Sequence, residues 1–157
     1  MYEEECEEHQ ELIKKLIYAV CDELETRGAE HDQDKLETPE VYEVYEDVFD
    51  ELDDREYGSP EYKKIFKRPD VVEAKEMHVA ENRHHPEFFK DGVKDMNLVD
   101  LVEMVCDWCA ANQRSVDPPY LEESLEINCK NLGITGLAKT WLKNTILKIA
   151  AENNFEV

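Results

Sequence analysis

Histidines paired with nearby carboxylates are the residues in this chain whose types and order point to chemistry. His31 directly precedes Asp32. Two adjacent histidines, His84 and His85, follow about fifty residues later, and Asp107 lies beyond them. A neutral imidazole offers a nitrogen ligand and a carboxylate offers charged oxygens, and such mixed sets bind divalent transition metals. The sequence therefore predicts a metal site built from segments that are far apart in the chain.

His78 belongs to the same predicted cluster because of its spacing. It precedes His85 by seven residues, so a helix over roughly 70–85 would point both side chains to one face. Pro86 disfavours a helical conformation for the residue before it. A helix that ends at this proline would bring His84 into the cluster as well.

The N-terminal segment, roughly residues 3–26, has the spacing of an amphipathic helix. His9 and Leu16 share its apolar stripe, which predicts that His9 points inward. Gly28 suits the left-handed residue that often ends a helix. The periodicity alone leaves His9 as either a core histidine or an N-terminal metal ligand.

The rest of the chain has helical periodicity, and no segment shows the sustained alternation of a strand. Asn97 is a predicted cap for a helix over roughly 98–112, and a last helix over about 135–152 carries Leu137 and Trp141 among its apolar residues. Between them, Asp117 and the two prolines after it predict a break. The predicted architecture is all-α, a bundle of about six or seven helices in one domain over residues 1–157, and the resemblance described below implies an HD-domain-like arrangement of it.

Composition limits the partners. The chain has 41% hydrophobic and 36% charged residues and a formal net charge of −21, which opposes binding to nucleic-acid polymers and to anionic membranes. A free nucleotide can still bind where a metal and a few basic residues supply positive charge. The acidic N-terminus does not resemble a signal peptide, and the odd number of cysteines favours reduced thiols, so we expect a cytoplasmic protein.

The order of the histidines and aspartates resembles the HD superfamily of metal-dependent phosphohydrolases, an all-helical fold whose members hydrolyse phosphate esters of nucleotides. Two runs are similar to its cyclic-dinucleotide phosphodiesterase branch, which has His-Asp-x-Gly-Lys and His-His-Glu. Here they read His31 through Lys35 and His84 through Glu87. The chain differs from that branch at Asp34, where the branch has glycine, and it has no Gly-Tyr-Pro after the second run.

A closer resemblance is to an uncharacterised HD-like family found in phages and bacteria. Its runs resemble His-Asp-x-x-Lys, Asn-Arg-His-His-Pro-Glu and Glu-Met-x-Cys-Asp-Trp, which correspond to residues 31–35, 82–87 and 103–108. The resemblance covers most of the chain and implies a viral or bacterial cytosolic protein, but no established activity.

Residue roles follow from the resemblance. It implies that Asp32 and Lys35 are catalytic, and that Lys35, Asn82 and Arg83 bind substrate, with the lysine as a point charge and the arginine as a fork. It implies that Glu81 and Glu103 orient ligands or water. The implied metal ligands are His9, His31, Asp32, His78, His84, His85 and Asp107.

The leading hypothesis is a hydrolase that cleaves a phosphomonoester or phosphodiester of a small nucleotide with one or two divalent ions, among Mn, Fe, Co, Ni, Mg and Zn. In a phage, it would degrade a host nucleotide signal in the host cytoplasm. Two alternatives remain open: an acidic, non-enzymatic protein that binds a host protein, and a metal- or nucleotide-binding sensor without turnover. A homo-oligomer is also left open.

Overall fold

A computed structural model of the chain describes residues 2–52, 55, 59–114, 121–153 and 155. These residues form α-helices and two 3₁₀ turns, without a strand among them, which confirms the all-α prediction. The predicted break at Asp117 lies outside the described residues. The helices are α1 (Tyr2–Glu30), α2 (Asp34–Glu37), α3 (Pro39–Leu52), α4 (Pro60–Ile65), α5 (Pro69–Glu81), α6 (Leu98–Arg114), α7 (Leu121–Asn131) and α8 (Gly136–Glu152).

The chain divides into two compact units, Met1–His31 and Asp32–Val157. The first unit consists of α1 and the turn residue after it, and the second contains the remaining helices. The single domain expected over residues 1–157 stays a prediction. Among the described residues, no helix has both the length and the apolar character needed to cross a membrane.

Helix α1 is longer than predicted. It continues through Gly28 to Glu30, and the left-handed backbone falls instead on Asp32, whose φ is 57°. No residue of α1 is buried, and His9 is exposed. Among the described residues of the first unit, no second helix covers the apolar stripe, and the packing of this stripe into a core stays a prediction.

The described residues of the second unit include two clusters of buried apolar side chains. The smaller one joins α3, α4 and α5 through Val48, Ile65 and Val71. The larger one joins α6, α7 and α8, and its fully buried members include Met104 and Leu125. Burying each such side chain contributes about 1.5–3 kcal/mol. The clusters fix α5 and α6, the two long helices of this unit that carry candidate site residues.

Helix α8 has apolar residues on more than one face, and the structure buries one of these faces. Leu142, Ile146 and Ala150, spaced by four residues, are buried, whereas Leu137 and Trp141 are 69% and 59% exposed. A helix advances about 100° per residue, so the stripe that begins at Leu142 excludes Trp141. The apolar residues Leu137 and Trp141 therefore lie on the exposed side of α8.

Two leucines of α8 provide a matched test of this orientation. We expect Leu142→Ala to lower the free energy of unfolding by about 2–5 kcal/mol, because it leaves a cavity in the larger core. Leu137→Ala should change it by less than about 0.5 kcal/mol, because Leu137 is already in contact with water. Urea unfolding followed by circular dichroism measures both, and equal losses would contradict the orientation of α8.

Candidate metal centre

Four side chains of the second unit each place a ligand atom within 4.8 Å of the others: Asp32, His78, His84 and His85. Asp32 lies in the turn before α2, and His78 lies in the last turn of α5. The other two histidines follow α5 directly. His78 and His84 are each only 2% exposed, whereas Asp32 and His85 are partly exposed, so the cluster lies at the edge of the buried interior. These groups lie close enough together to hold a metal ion.

The individual distances agree with those of a metal-ligand set. Nε2 of His78 lies 2.8 Å from Nε2 of His85, and Oδ1 of Asp32 lies 3.4 Å from Nε2 of both His78 and His84. Ligands about 2.1 Å from a shared ion are separated from their neighbours by about 3.0–3.4 Å in octahedral or tetrahedral geometry. The two 3.4 Å distances lie in this range and the 2.8 Å distance is slightly shorter, so the three imidazoles and the carboxylate are close enough together to surround one cation.

The end of α5 explains how adjacent histidines reach the cluster. The helix stops at Glu81, and Asn82 has an extended backbone, with φ −109° and ψ 110°. His85 is also extended, with φ −93° and ψ 126°, as expected for a residue before Pro86. The predicted helix over 70–85 is therefore wrong at its last four residues. Leaving the helix allows both histidine rings to turn toward His78.

Asp32 is oriented by its backbone and by Lys35. Aspartate tolerates the left-handed conformation better than most residues, and the Asp32 carbonyl accepts a hydrogen bond from the Lys35 amide at 3.0 Å. The Lys35 ammonium donates to Oδ2 of Asp32 at 2.7 Å, whereas Oδ1 faces the imidazoles. The carboxylate thus joins a basic side chain on one side to the histidine cluster on the other.

Asp34 holds His78, and the sequence interpretation missed it. Its Oδ2 lies 2.8 Å from Nδ1 of His78, and Asn82 donates to its Oδ1 at 2.9 Å and to the His78 carbonyl at 2.7 Å. Because a carboxylate only accepts, Nδ1 carries the hydrogen and Nε2 presents its lone pair to the cluster. The available signal was position 34 itself, where the similar phosphodiesterase run has glycine.

Helix α6 adds two carboxylates beside His84. Oε1 of Glu103 lies 3.3 Å from Nδ1 of His84, which agrees with its expected role in orienting a ligand imidazole. A carboxylate oxygen of Asp107, one turn later, lies within 4.8 Å of a ring nitrogen of His84. The expected α6 residues are therefore on the side of the helix that faces the histidines.

Two of the imidazoles, those of His78 and His85, have a lowered pKa. Burial lowers the pKa of His78, although the hydrogen bond to Asp34 opposes this shift. Burial, followed by the neighbouring His84 and His78, lowers the pKa of His85 to about 3, against the attraction of Asp107 and Asp32. A histidine must be neutral to bind a metal, so these rings are already in the ligand form near pH 7.

Arg83 contacts a carboxylate of α6, and Glu81 lies at the exposed end of α5. The Arg83 guanidinium binds the Asp100 carboxylate through two hydrogen bonds, at 3.0 and 3.1 Å, so its fork already has an anionic partner. Glu81 is exposed at the end of α5. Substrate binding by Arg83 and ligand orientation by Glu81 stay predictions.

The two N-terminal histidines belong to the first unit. His9 is exposed on α1, and His31 is partly buried at the end of the unit, one peptide bond before Asp32. Their roles as ligands stay predictions.

Comparisons with known proteins identify a family for this chain but no activity. One family profile matches it, over residues 1–151, and is described as a family of unknown function. No match was found among curated proteins or among solved structures.

Asp32 provides the direct test of the metal centre. We expect the protein to bind Mn²⁺ or Co²⁺ in isothermal titration calorimetry and Asp32→Asn to bind it more than about 100-fold more weakly, because losing an outer partner of a ligand already costs about 10–100-fold. Asp47→Asn, at an exposed carboxylate of α3, should bind like the unmodified protein. Equal affinity in the two variants would contradict the assignment of Asp32 as a ligand.

Asp34 provides a separate test of how His78 is oriented. We expect Asp34→Ala to bind Co²⁺ about 10–100-fold more weakly, because Nδ1 of His78 loses its acceptor while every ligand atom of the cluster is retained. Asn82→Ala, which removes a contact to Asp34, should have a smaller effect in the same direction. A folded Asp34→Ala protein with unchanged affinity would show that the hydrogen bond does not support ligation.

Proposed function

The chain belongs to the DUF5662 family, and we propose that it is a metal-dependent phosphohydrolase that cleaves a phosphomonoester or phosphodiester of a small nucleotide. One observation carries the proposal. One carboxylate oxygen of Asp32 faces the imidazole cluster. The other oxygen accepts a hydrogen bond from the Lys35 ammonium group. The Asp32 carboxylate thereby connects the proposed metal site to a lysine that would bind phosphate.

The four-residue cluster would hold the ion. Its three nitrogens and one oxygen favour Mn, Fe, Co, Ni or Zn over Mg, which prefers oxygen ligands and retained water. When bound, such an ion polarises a phosphoryl oxygen and lowers the pKa of a water molecule. A carboxylate oxygen of Asp107 lies within 4.8 Å of a ring nitrogen of His84 and would supply a further ligand. A ligand role of His31 rests only on the run of residues 31–35 that resembles the HD superfamily.

Lys35 would bind the phosphate. Its ammonium group donates to Asp32 at 2.7 Å and lies 5.3 Å from the centre of the Tyr45 ring. The group has three donors and no acceptor, so a hydrogen bond to Asp32 leaves it able to donate to a phosphate oxygen as well. Asp32 and Tyr45 thus hold the lysine head beside the cluster, where it can orient a phosphoryl group.

A small nucleotide is the substrate class that the charge supports best. A net charge of −21 repels a polyanion, whereas a single phosphate group needs only local compensation from an ion and Lys35. The nucleotide itself rests on the resemblance of residues 31–35 and 82–87 to the HD superfamily. In a phage, the same activity would remove a host nucleotide signal.

Phosphate release from a panel of mono-, di- and cyclic nucleotides with added Mn²⁺ tests the proposal. We expect turnover of at least one nucleotide that disappears in Asp32→Ala. Lys35→Met should lower kcat/KM by about 10- to 150-fold, because a hydrogen bond to a charged group is worth about 1.5–3 kcal/mol. Lys75→Met, at an exposed lysine of α5, serves as the control and should retain kcat/KM.

Two outcomes would replace the proposal. Nucleotide affinity without phosphate release in the metal-loaded protein would identify a sensor. Protein that binds neither metal nor nucleotide but captures a protein partner would support the acidic binding protein instead.

A further inference from the structure

The segment that carries His84 and His85 is not held in place by a helix. It begins where α5 ends at Glu81, and its backbone hydrogen bond runs from the His85 amide to the Asn82 carbonyl, at 3.1 Å. Two of the four candidate metal ligands, His84 and His85, therefore lie on a short irregular segment. Ligand placement within a few tenths of an ångström requires such a stretch to be fixed by other contacts.

Arg83, the residue before the histidine pair, is anchored to α6. Its Nε and Nη2 donate to the two carboxylate oxygens of Asp100 at 3.0 and 3.1 Å. Asp100 is fully buried and also accepts a hydrogen bond from the Asn97 amide at 2.8 Å. A two-point contact between planar groups fixes orientation as well as distance, so the backbone at Arg83 is tied to the start of α6.

Two aromatic rings hold the same guanidinium from the other end of the segment. Its central carbon lies 5.3 Å from the centre of the Phe88 ring and 4.9 Å from that of Phe89. Phe88 ends the 3₁₀ turn that follows the histidines, Pro86–Phe88. Arg83 therefore links the residues before the histidine pair, the residues after it and α6.

The anchor lies one helical turn from the contact between α6 and the cluster. Asp100 precedes Glu103 by three residues on α6, and Glu103 lies 3.3 Å from Nδ1 of His84. Arg83 and His84, which are adjacent in sequence, therefore contact successive turns of α6. We propose that the Arg83–Asp100 pair is a positioning device that sets His84 and His85 against α6; this role rests on the proposed metal-dependent function.

Stability alone is a weaker account of this pair. Asp100 is fully buried, but the Arg83 side chain is 42% exposed, and an ion pair that is open to water on one side contributes little to stability. Its distinguishing property is fixed geometry. The chain also offers a comparison at the other end of α5, where Arg68 binds Asp70 through a similar fork that is 31% and 44% exposed.

Arg83→Lys tests the inference because it keeps the charge and removes the fork. We expect Co²⁺ affinity, measured by calorimetry on the full chain, to fall by about tenfold. This loss is at the low end of the roughly 10- to 100-fold range that is typical when a group contacting a metal ligand is changed. The visible absorption spectrum of bound Co²⁺ should also change, because the histidine nitrogens shift. Arg68→Lys should leave both the affinity and the spectrum unchanged.

Further variants make the outcomes decisive. If Arg83→Lys does not fold, Asp100→Asn replaces it, since the amide keeps the shape and one acceptor, and the same losses are expected. Unchanged affinity and spectrum in a folded variant would overturn the positioning role but leave the metal centre intact. Unfolding of both variants would assign the pair to stability and also overturn it. Absence of Co²⁺ binding in the unmodified protein would instead overturn the proposed function.

Discussion

The hydrogen bond between Asp34 and His78 is the interaction on which the candidate centre depends. A buried imidazole without a partner would cost stability and could present either nitrogen to the cluster. The 2.8 Å contact to Asp34 satisfies one nitrogen, and Asn82 in turn fixes Asp34. The opposite nitrogen of His78 then faces Asp32 and His85, so a polar network at the end of α5 determines which lone pair the centre can use.

Two departures from regular helix make this arrangement possible. Asp32 adopts the left-handed conformation in the turn before α2, and α5 ends at Glu81. A helix through residue 85 would rotate adjacent side chains about 100° apart, and His84 and His85 would then face different directions. In the observed segment their ring centres are 4.1 Å apart. The side chains of His84 and His85 are therefore brought together by an irregular backbone segment. This segment begins at the end of α5 and contacts α6 through Arg83 and His84.

The sequence predicted the parts of this architecture that depend on local patterns. Helical periodicity and the cap at Asn97, whose Oδ1 accepts from the Val99 and Asp100 amides, were recognisable without a structure. Asp34 and Asp100 were not assigned roles, because what matters is a partner 44 or 17 residues away. Long apolar stripes were also ambiguous. On α8 the buried and exposed stripes are both apolar, and only packing against α6 and α7 distinguishes them.

Charge distribution separates the candidate centre from the general acidity of the protein. Exposed carboxylates are screened by water and salt, and most of the surplus behind the net charge of −21 has no chemical consequence. Asp32, Asp34 and Glu103 differ because each lies within 3.4 Å of a buried imidazole nitrogen. In these surroundings carboxylates and neutral rings attract a cation more strongly than the same groups would in water. Lys35 contacts the outer oxygen of Asp32, so it compensates part of the charge of Asp32 from the side opposite the imidazoles.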